Sequence, residues 1–186
     1  MGHVLGISGS LREGSYNSAL LRAARAIYPG RLQIGRIDRI PLYNADVEAA
    51  GFPATVEEVK QQVAAADGLL LVSPEYNNSV PGVLKNAIDW LSRPSGDIRN
   101  VFRDKPVAVI GASPGGFGTI LGQDSWLPVF RALRARHWTA ERLMVSHAHD
   151  AFDEAGALVD DHLRERLRGF VGGFISFCEA SSSPPR

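Results

Sequence analysis

Two short runs without a polar side chain constrain this fold more than anything else: Gly68-Leu69-Leu70-Leu71-Val72 and Val107-Ala108-Val109-Ile110-Gly111-Ala112. Neither alternates apolar with polar, so neither suits a strand with one wet face. Both are shorter than an ordinary buried helix and far too short to cross a bilayer. Strands covered on both faces belong to parallel sheets with helices above and below. They account for strands expected over 68–73 and 107–112, and three further β-type runs fall at 4–8, 32–37 and 141–145. Helical patterns fill the intervals at 18–28, 55–66, 81–92 and 119–134, with Pro81 expected at a first helical position. A last helix carries Leu163, Leu167, Phe170, Phe174 and Phe177 on one stripe. Five strand–helix units joined by right-handed crossovers predict a doubly wound, five-stranded parallel α/β sheet in the order 2-1-3-4-5.

Composition narrows the function classes. With 186 residues, 45% of them apolar, the chain is the size of one domain, expected over 1–180 with 181–186 as a frayed tail. Twenty basic residues balance twenty acidic ones, which argues against a partner as anionic as nucleic acid or a membrane surface. The single cysteine, Cys178, has no internal disulfide partner. The opening residues lack a basic segment followed by an apolar core, so no secretory leader is expected and the cytoplasm is the expected location.

In such sheets ligands bind beyond the carboxyl ends of the strands. The first strand runs into Ser8-Gly9-Ser10-Leu11-Arg12-Glu13-Gly14-Ser15-Tyr16-Asn17, immediately ahead of a helix. A helix start offers unpaired N–H groups and a positive partial charge, and this loop adds the hydroxyls of Ser8, Ser10 and Ser15, the Asn17 amide and the Arg12 guanidinium. That donor set suits a phosphate; the plainer alternative is a polar turn in which Ser15 or Asn17 caps the helix. The third strand delivers Ser73-Pro74-Glu75-Tyr76-Asn77-Asn78, stiffened by Pro74 and Pro81 and able to line the face and edge of a flat heteroaromatic ring. The fourth delivers Ser113-Pro114-Gly115-Gly116-Phe117-Gly118, whose glycines let backbone lie flat against a ligand.

Taken together, Gly6-Ile7-Ser8-Gly9-Ser10-Leu11-Arg12 through Asn17, Pro74-Glu75-Tyr76-Asn77 leading into Pro81 to Trp90, and Gly111 to Gly116 resemble the NADPH-dependent FMN reductase family. This is a flavodoxin-like group that includes quinone, chromate and azo-dye reductases. The resemblance spans about residues 4–178. It implies a flavodoxin-like fold and FMN as cofactor, with the phosphate on Ser10, Arg12, Ser15 and Asn17. It also implies that the ring lies against Pro74, Glu75, Tyr76 and Asn77 and against Ser113, Gly115 and Gly116. NADPH or NADH would donate hydride, a small-molecule acceptor would take it, and the chain would form a homodimer or homotetramer. Asn78 stands where relatives commonly carry glycine, and residues 120–128 look less typical. Trp90 has two open roles, partner contact or cover for its own core. Residues 93–105 are either a rim over the site or a connector.

Rival motifs fare worse. Neither G-x-x-x-x-G-K-[ST] nor G-x-G-x-x-G occurs, so Asp38 reads as an ordinary carboxylate at a strand end. Gly111-Ala112-Ser113-Pro114-Gly115 matches the serine-hydrolase elbow, but Pro114 cannot supply the oxyanion-hole N–H required after the serine. His147 and His149 have no cluster around them to complete a metal site. A flavin-binding electron carrier shares fold and cofactor with the reductase; it differs in needing a charged docking surface, which this balanced chain does not advertise. No arginine cluster can be assigned from sequence to the 2′-phosphate that separates NADPH from NADH.

Overall fold

The structure, a computed structural model, describes residues 2–182. Its sheet contains β1 (Val4–Ser8), β2 (Leu32–Gly35), β3 (Gly68–Val72) and β4 (Pro106–Ala112), followed at the edge by β5 (Arg136–His137) and β6 (Leu143–Val145). All pairings are parallel and run in the order β2-β1-β3-β4, with β5 and β6 both against β4. Val4 pairs with Gly68 and Leu69 with Val107, so the carboxyl ends of β1, β3 and β4 finish side by side. Every residue of β3 and β4 is buried, as two-sided coverage requires.

The flavodoxin-like order is as expected, and the fifth position differs in being split between two short strands. Trp138 still donates its N–H to the Val107 carbonyl at 2.9 Å while its ring packs 4.8 Å from Phe170 and 5.8 Å from Phe174, and the strand pairing with β4 resumes at Leu143. The polar pair Arg136–His137 carries no apolar signal from which its strand could be read.

Helices α1 (Tyr16–Ile27) and α9 (Asp161–Ser182) cover one face with Leu20, Ala24, Leu167, Phe170 and Phe174. The other face is covered by α3 (Ala54–Ala65), α4 (Gly82–Leu91) and α7 (Leu127–Leu133). Shorter helices are α2 (Ala45–Ala50), α5 (Ile98–Val101), α6 (Ile120–Ser125) and α8 (Ala148–Ala151). Pro81 proves to be the N-cap of α4, in an extended conformation, and the helix begins at Gly82. The single helix expected over 119–134 is two, α6 and α7, meeting at Trp126. Pro128 explains the break, because it has no N–H for the carbonyl of Asp124 and its ring crowds that carbonyl. At the other end, α9 takes in Ser181 and Ser182, so the expected tail starts inside a helix; residues 183–186 lie outside the described residues.

Two open roles close here. Trp90 is fully buried, donates its indole N–H to the Pro41 carbonyl at 2.9 Å and sits edge-on to Tyr43 and Phe52, so it belongs to the core of its own chain. Residues 93–105 form a connector: α4 runs back to the amino ends of the strands, and Lys60 holds the segment there through Asp97 (2.5 Å) and the Arg93 carbonyl (2.6 Å). They cannot overhang the opposite end of the sheet.

Cys178 is buried against Gly68 and Phe174, and desolvation pushes its thiol up to about 12. Native protein should therefore resist alkylation at pH 8–9 and react fully once unfolded, as thiol titration with and without denaturant will show. Between the ordinary thiol value of 9.0 and about 12 the unfolded chain ionises while the folded one does not, so this group lowers stability as pH rises through that window.

Candidate active site at the carboxyl ends of the strands

The first loop, residues 9–15, is shaped from within. Ser8 Oγ lies 2.9 Å from Ser18 Oγ and accepts from the Ser10 N–H at 3.3 Å. Ser15 caps α1 by accepting from the Ser18 N–H, which leaves its own hydroxyl proton free. Ser10 Oγ makes no hydrogen bond among the described residues, and neither do the backbone N–H groups of residues 11–14, Tyr16 and Asn17. Arg12 has no carboxylate partner there and rests over the Tyr16 ring at 5.7 Å. A row of unpaired donors beside a helix start is an anion cradle.

Three contacts bind the loops into one rim. Gly9 donates to the Val72 carbonyl at 2.9 Å, and a methyl in its place would stand 2.9 Å from Leu84 and 3.0 Å from Pro74 and Pro81. The first loop therefore seats directly on the second. Asn17 reaches the third: Nδ2 donates to the Ala112 carbonyl at 2.8 Å and Oδ1 accepts from the Ala112 N–H at 2.9 Å. This buried amide keeps one proton for any ligand. Glu75 accepts from the Gly122 N–H at 2.8 Å, holding the second loop to the first turn of α6.

Tyr76 and Ser79 exchange both backbone hydrogen bonds at 3.1 Å, with Asn77 (φ 50°) and Asn78 (φ 61°) left-handed between them. That is a type I′ hairpin turn, in which asparagine is tolerated and glycine is easiest. Asn78 thus fits a position at which the family resemblance implies glycine. Tyr76 stands 48% exposed above the rim. Under the turn, Trp126 donates to Ser73 Oγ at 2.9 Å and Ser73 donates to the Pro74 carbonyl at 3.0 Å. Sequence reasoning missed this support and the Glu75 contact, because the partners lie 53 and 47 positions apart with no local signal.

Ser113 is likewise built in. Its Oγ accepts from the Gly115 N–H at 3.1 Å and its backbone pairs with Val145 and Ala148. Among the described residues no histidine bonds it, so the hydrolase arrangement is not assembled. Gly115 accepts from the His147 N–H at 3.3 Å, and Gly116 follows at the exposed tip beside Phe117. The described residues include no group of histidine, cysteine or carboxylate side chains able to hold a metal.

The cradle and the two loops that share its rim therefore meet at the carboxyl ends of the strands, and comparison with known proteins places the chain in a family. Residues 3–150 match the family described as NADPH-dependent FMN reductase. An NAD(P)H-dependent FMN reductase of Pseudomonas aeruginosa is 48% identical over 167 residues, covering 89% of each chain. A 2-hydroxy-1,4-benzoquinone reductase of a Burkholderia species is 37% identical, over 92% of this chain and 93% of its own. Among solved structures, a flavoenzyme NAD(P)H:(acceptor) oxidoreductase of Paracoccus denitrificans superposes with a TM-score of 0.87 at 33% identity, over 97% of this chain and 99% of that one. On this combined ground of motif, fold and similarity, the chain belongs to the NADPH-dependent FMN reductase family.

Proposed function

We propose that the protein is an FMN-dependent NAD(P)H oxidoreductase that passes hydride from NAD(P)H by way of bound FMN to a quinone-like, azo, metal-oxyanion or flavin acceptor. The observation that carries this reading is the Asn17–Ala112 bridge together with the seating of Gly9 on Pro74 and Pro81, which gathers three loops around one place. Ser10, Arg12, Ser15, the remaining amide proton of Asn17 and the free N–H groups of the first turn are assigned to the phosphate. Pro74 to Asn77, with Ser113, Gly115 and Gly116, are assigned to the ring. When bound, FMN supplies the hydride chemistry; the protein orients it and sets its electrostatic surroundings. No side chain is assigned as general acid or base.

Purified protein should be yellow, and NADPH alone should bleach it in a stopped-flow experiment. Bleaching that required a separate reductase would favour the electron-carrier reading. Arg12→Ala should weaken FMN binding by about 1.5–3 kcal/mol, the usual contribution of a charged hydrogen bond, measured by flavin fluorescence titration. Unchanged affinity would remove Arg12 from the cradle.

We also assign a homo-oligomer. Leu42 is 84% exposed although its neighbours Pro41 and Tyr43 are pinned to α4, and α2 buries none of its residues. Light scattering reads the state directly. Among the described residues no helix is long and apolar enough to cross a membrane.

A further inference from the structure

The split edge of the sheet leaves one buried donor without a partner. Residues along β4 face its two neighbours in turn: the Ile110 carbonyl accepts from Ser73 on the β3 side, and the Val107 carbonyl accepts from Trp138 on the outer side. Val109 therefore points its N–H outward too. A continuous strand would meet it with the Trp138 carbonyl, but pairing stops at His137 and resumes at Leu143. The Val109 N–H has no hydrogen-bond partner among the described residues, although Val109 is only 6% exposed. Such a donor is rare, because burial removes the water that would otherwise pair with it.

Val109 lines a cavity of about 210 Å³ against α6 and α7. On its wall Gln123 supplies the complementary group. Nε2 donates to Thr119 Oγ1 at 3.1 Å and to the Leu143 carbonyl at 2.9 Å, and a carbonyl can only accept, which fixes the amide's orientation. Gln123 Oε1 is left without a partner among the described residues. One unpaired donor and one unpaired acceptor thus line the same space, between the apolar side chains of Val109 and Leu127. Charge is matched at the mouth, where Arg142 pairs with Asp124 at 3.1 Å and leaves Glu141 unmatched. Desolvation, with the Arg142 charge adding to it, holds the His137 imidazole below its ordinary value and so neutral. An anion finds no free cation in this lining. The cavity shares no residue with the three loops assigned to the flavin.

We infer that this cavity binds a neutral one-ring phenol, whose hydroxyl accepts from the Val109 N–H and donates to Gln123 Oε1. A hydroxyl is the smallest group that does both. An ether or ketone would answer the N–H and leave Oε1 unpaired; a carboxylate would bring a second negative charge beside Glu141. Size also fits, since an apolar cavity of about 150 Å³ already holds benzene.

The test titrates the protein as purified with phenol, toluene and benzoate, following heat by calorimetry and backbone amides by ¹⁵N NMR. Phenol should bind one-to-one, shift the Val109 amide resonance and bind at least about fivefold more tightly than toluene, while benzoate should not saturate. Gln123→Leu removes the acceptor and should bring phenol down to the affinity of toluene. Leu127→Trp fills the cavity from its exposed side without disturbing a buried hydrogen bond; it should abolish phenol binding and leave the unfolding midpoint near that of wild type. Toluene or benzoate binding as tightly as phenol overturns the assignment. So does phenol that leaves the Val109 amide unmoved, which would put it elsewhere on the protein, or an ordered water at Val109 that phenol does not displace. None of these readouts needs turnover, so they decide the cavity whether or not the protein oxidises NAD(P)H.

Discussion

Gly111→Ala is expected to cost about 3 kcal/mol of stability, a drop of about 6–12 °C in Tm for a domain of this size. A methyl at this position would stand 2.2 Å from the Ser73 carbonyl oxygen and 2.5 Å from Thr119 Oγ1. The first of these is backbone in the rigid turn where β3 becomes the second loop, so relief requires β3 and β4 to separate. Core overpacking typically costs about 1–3 kcal/mol, and a clash with main chain belongs at the upper end. Gly115→Ala is the control, since its methyl would meet nothing nearer than Ser113 Oγ at 3.5 Å. It should unfold within about 0.5 kcal/mol of wild type. Denaturant unfolding of the flavin-free proteins measures both; equal midpoints for the two variants would show that the strands yield more readily than their contacts imply.

Asn17→Ala is expected to cost about 2–6 kcal/mol even without flavin. It leaves both the N–H and the carbonyl of buried Ala112 without their side-chain partner, at about 1–3 kcal/mol for each unsatisfied group. A residue that only touched a cofactor phosphate would leave flavin-free stability unchanged, so unfolding the apo protein separates the two roles. Asn17→Asp should be similarly unstable, because it keeps an acceptor for the Ala112 N–H but turns a carboxylate oxygen toward the Ala112 carbonyl. In either variant, flavin should be lost together with the alignment of the first and third loops, visible as reduced absorbance per protein.

These two positions mark the boundary of what could be read early. Gly111 and Asn17 both sit inside motifs visible in the chain, yet their work is done on Ser73 and Ala112, which no spacing rule connects to them. The anion cradle proposed at Ser10, Arg12 and Ser15 was legible as a candidate because a strand end, a loop rich in small polar residues and a helix start are contiguous. A turn between Pro74 and Pro81 was legible too, but not its left-handed pair at Asn77 and Asn78, which leaves no apolar periodicity. Nor was the division of the edge position between Arg136–His137 and Leu143–Val145, since the first pair is polar and carries no apolar run.

The order of apolar runs, their lengths and their lack of alternation were enough to determine the parallel sheet and the end at which ligands gather, because burial on both faces is a local property of each strand. Only the tertiary structure decided that Trp90 closes its own core, that residues 93–105 lie at the far end, and that Val109 and Gln123 share one cavity. Each of these depends on which elements the crossovers bring together. Charge and hydrogen bonding act across that distance in space, and the sequence records only distance along the chain.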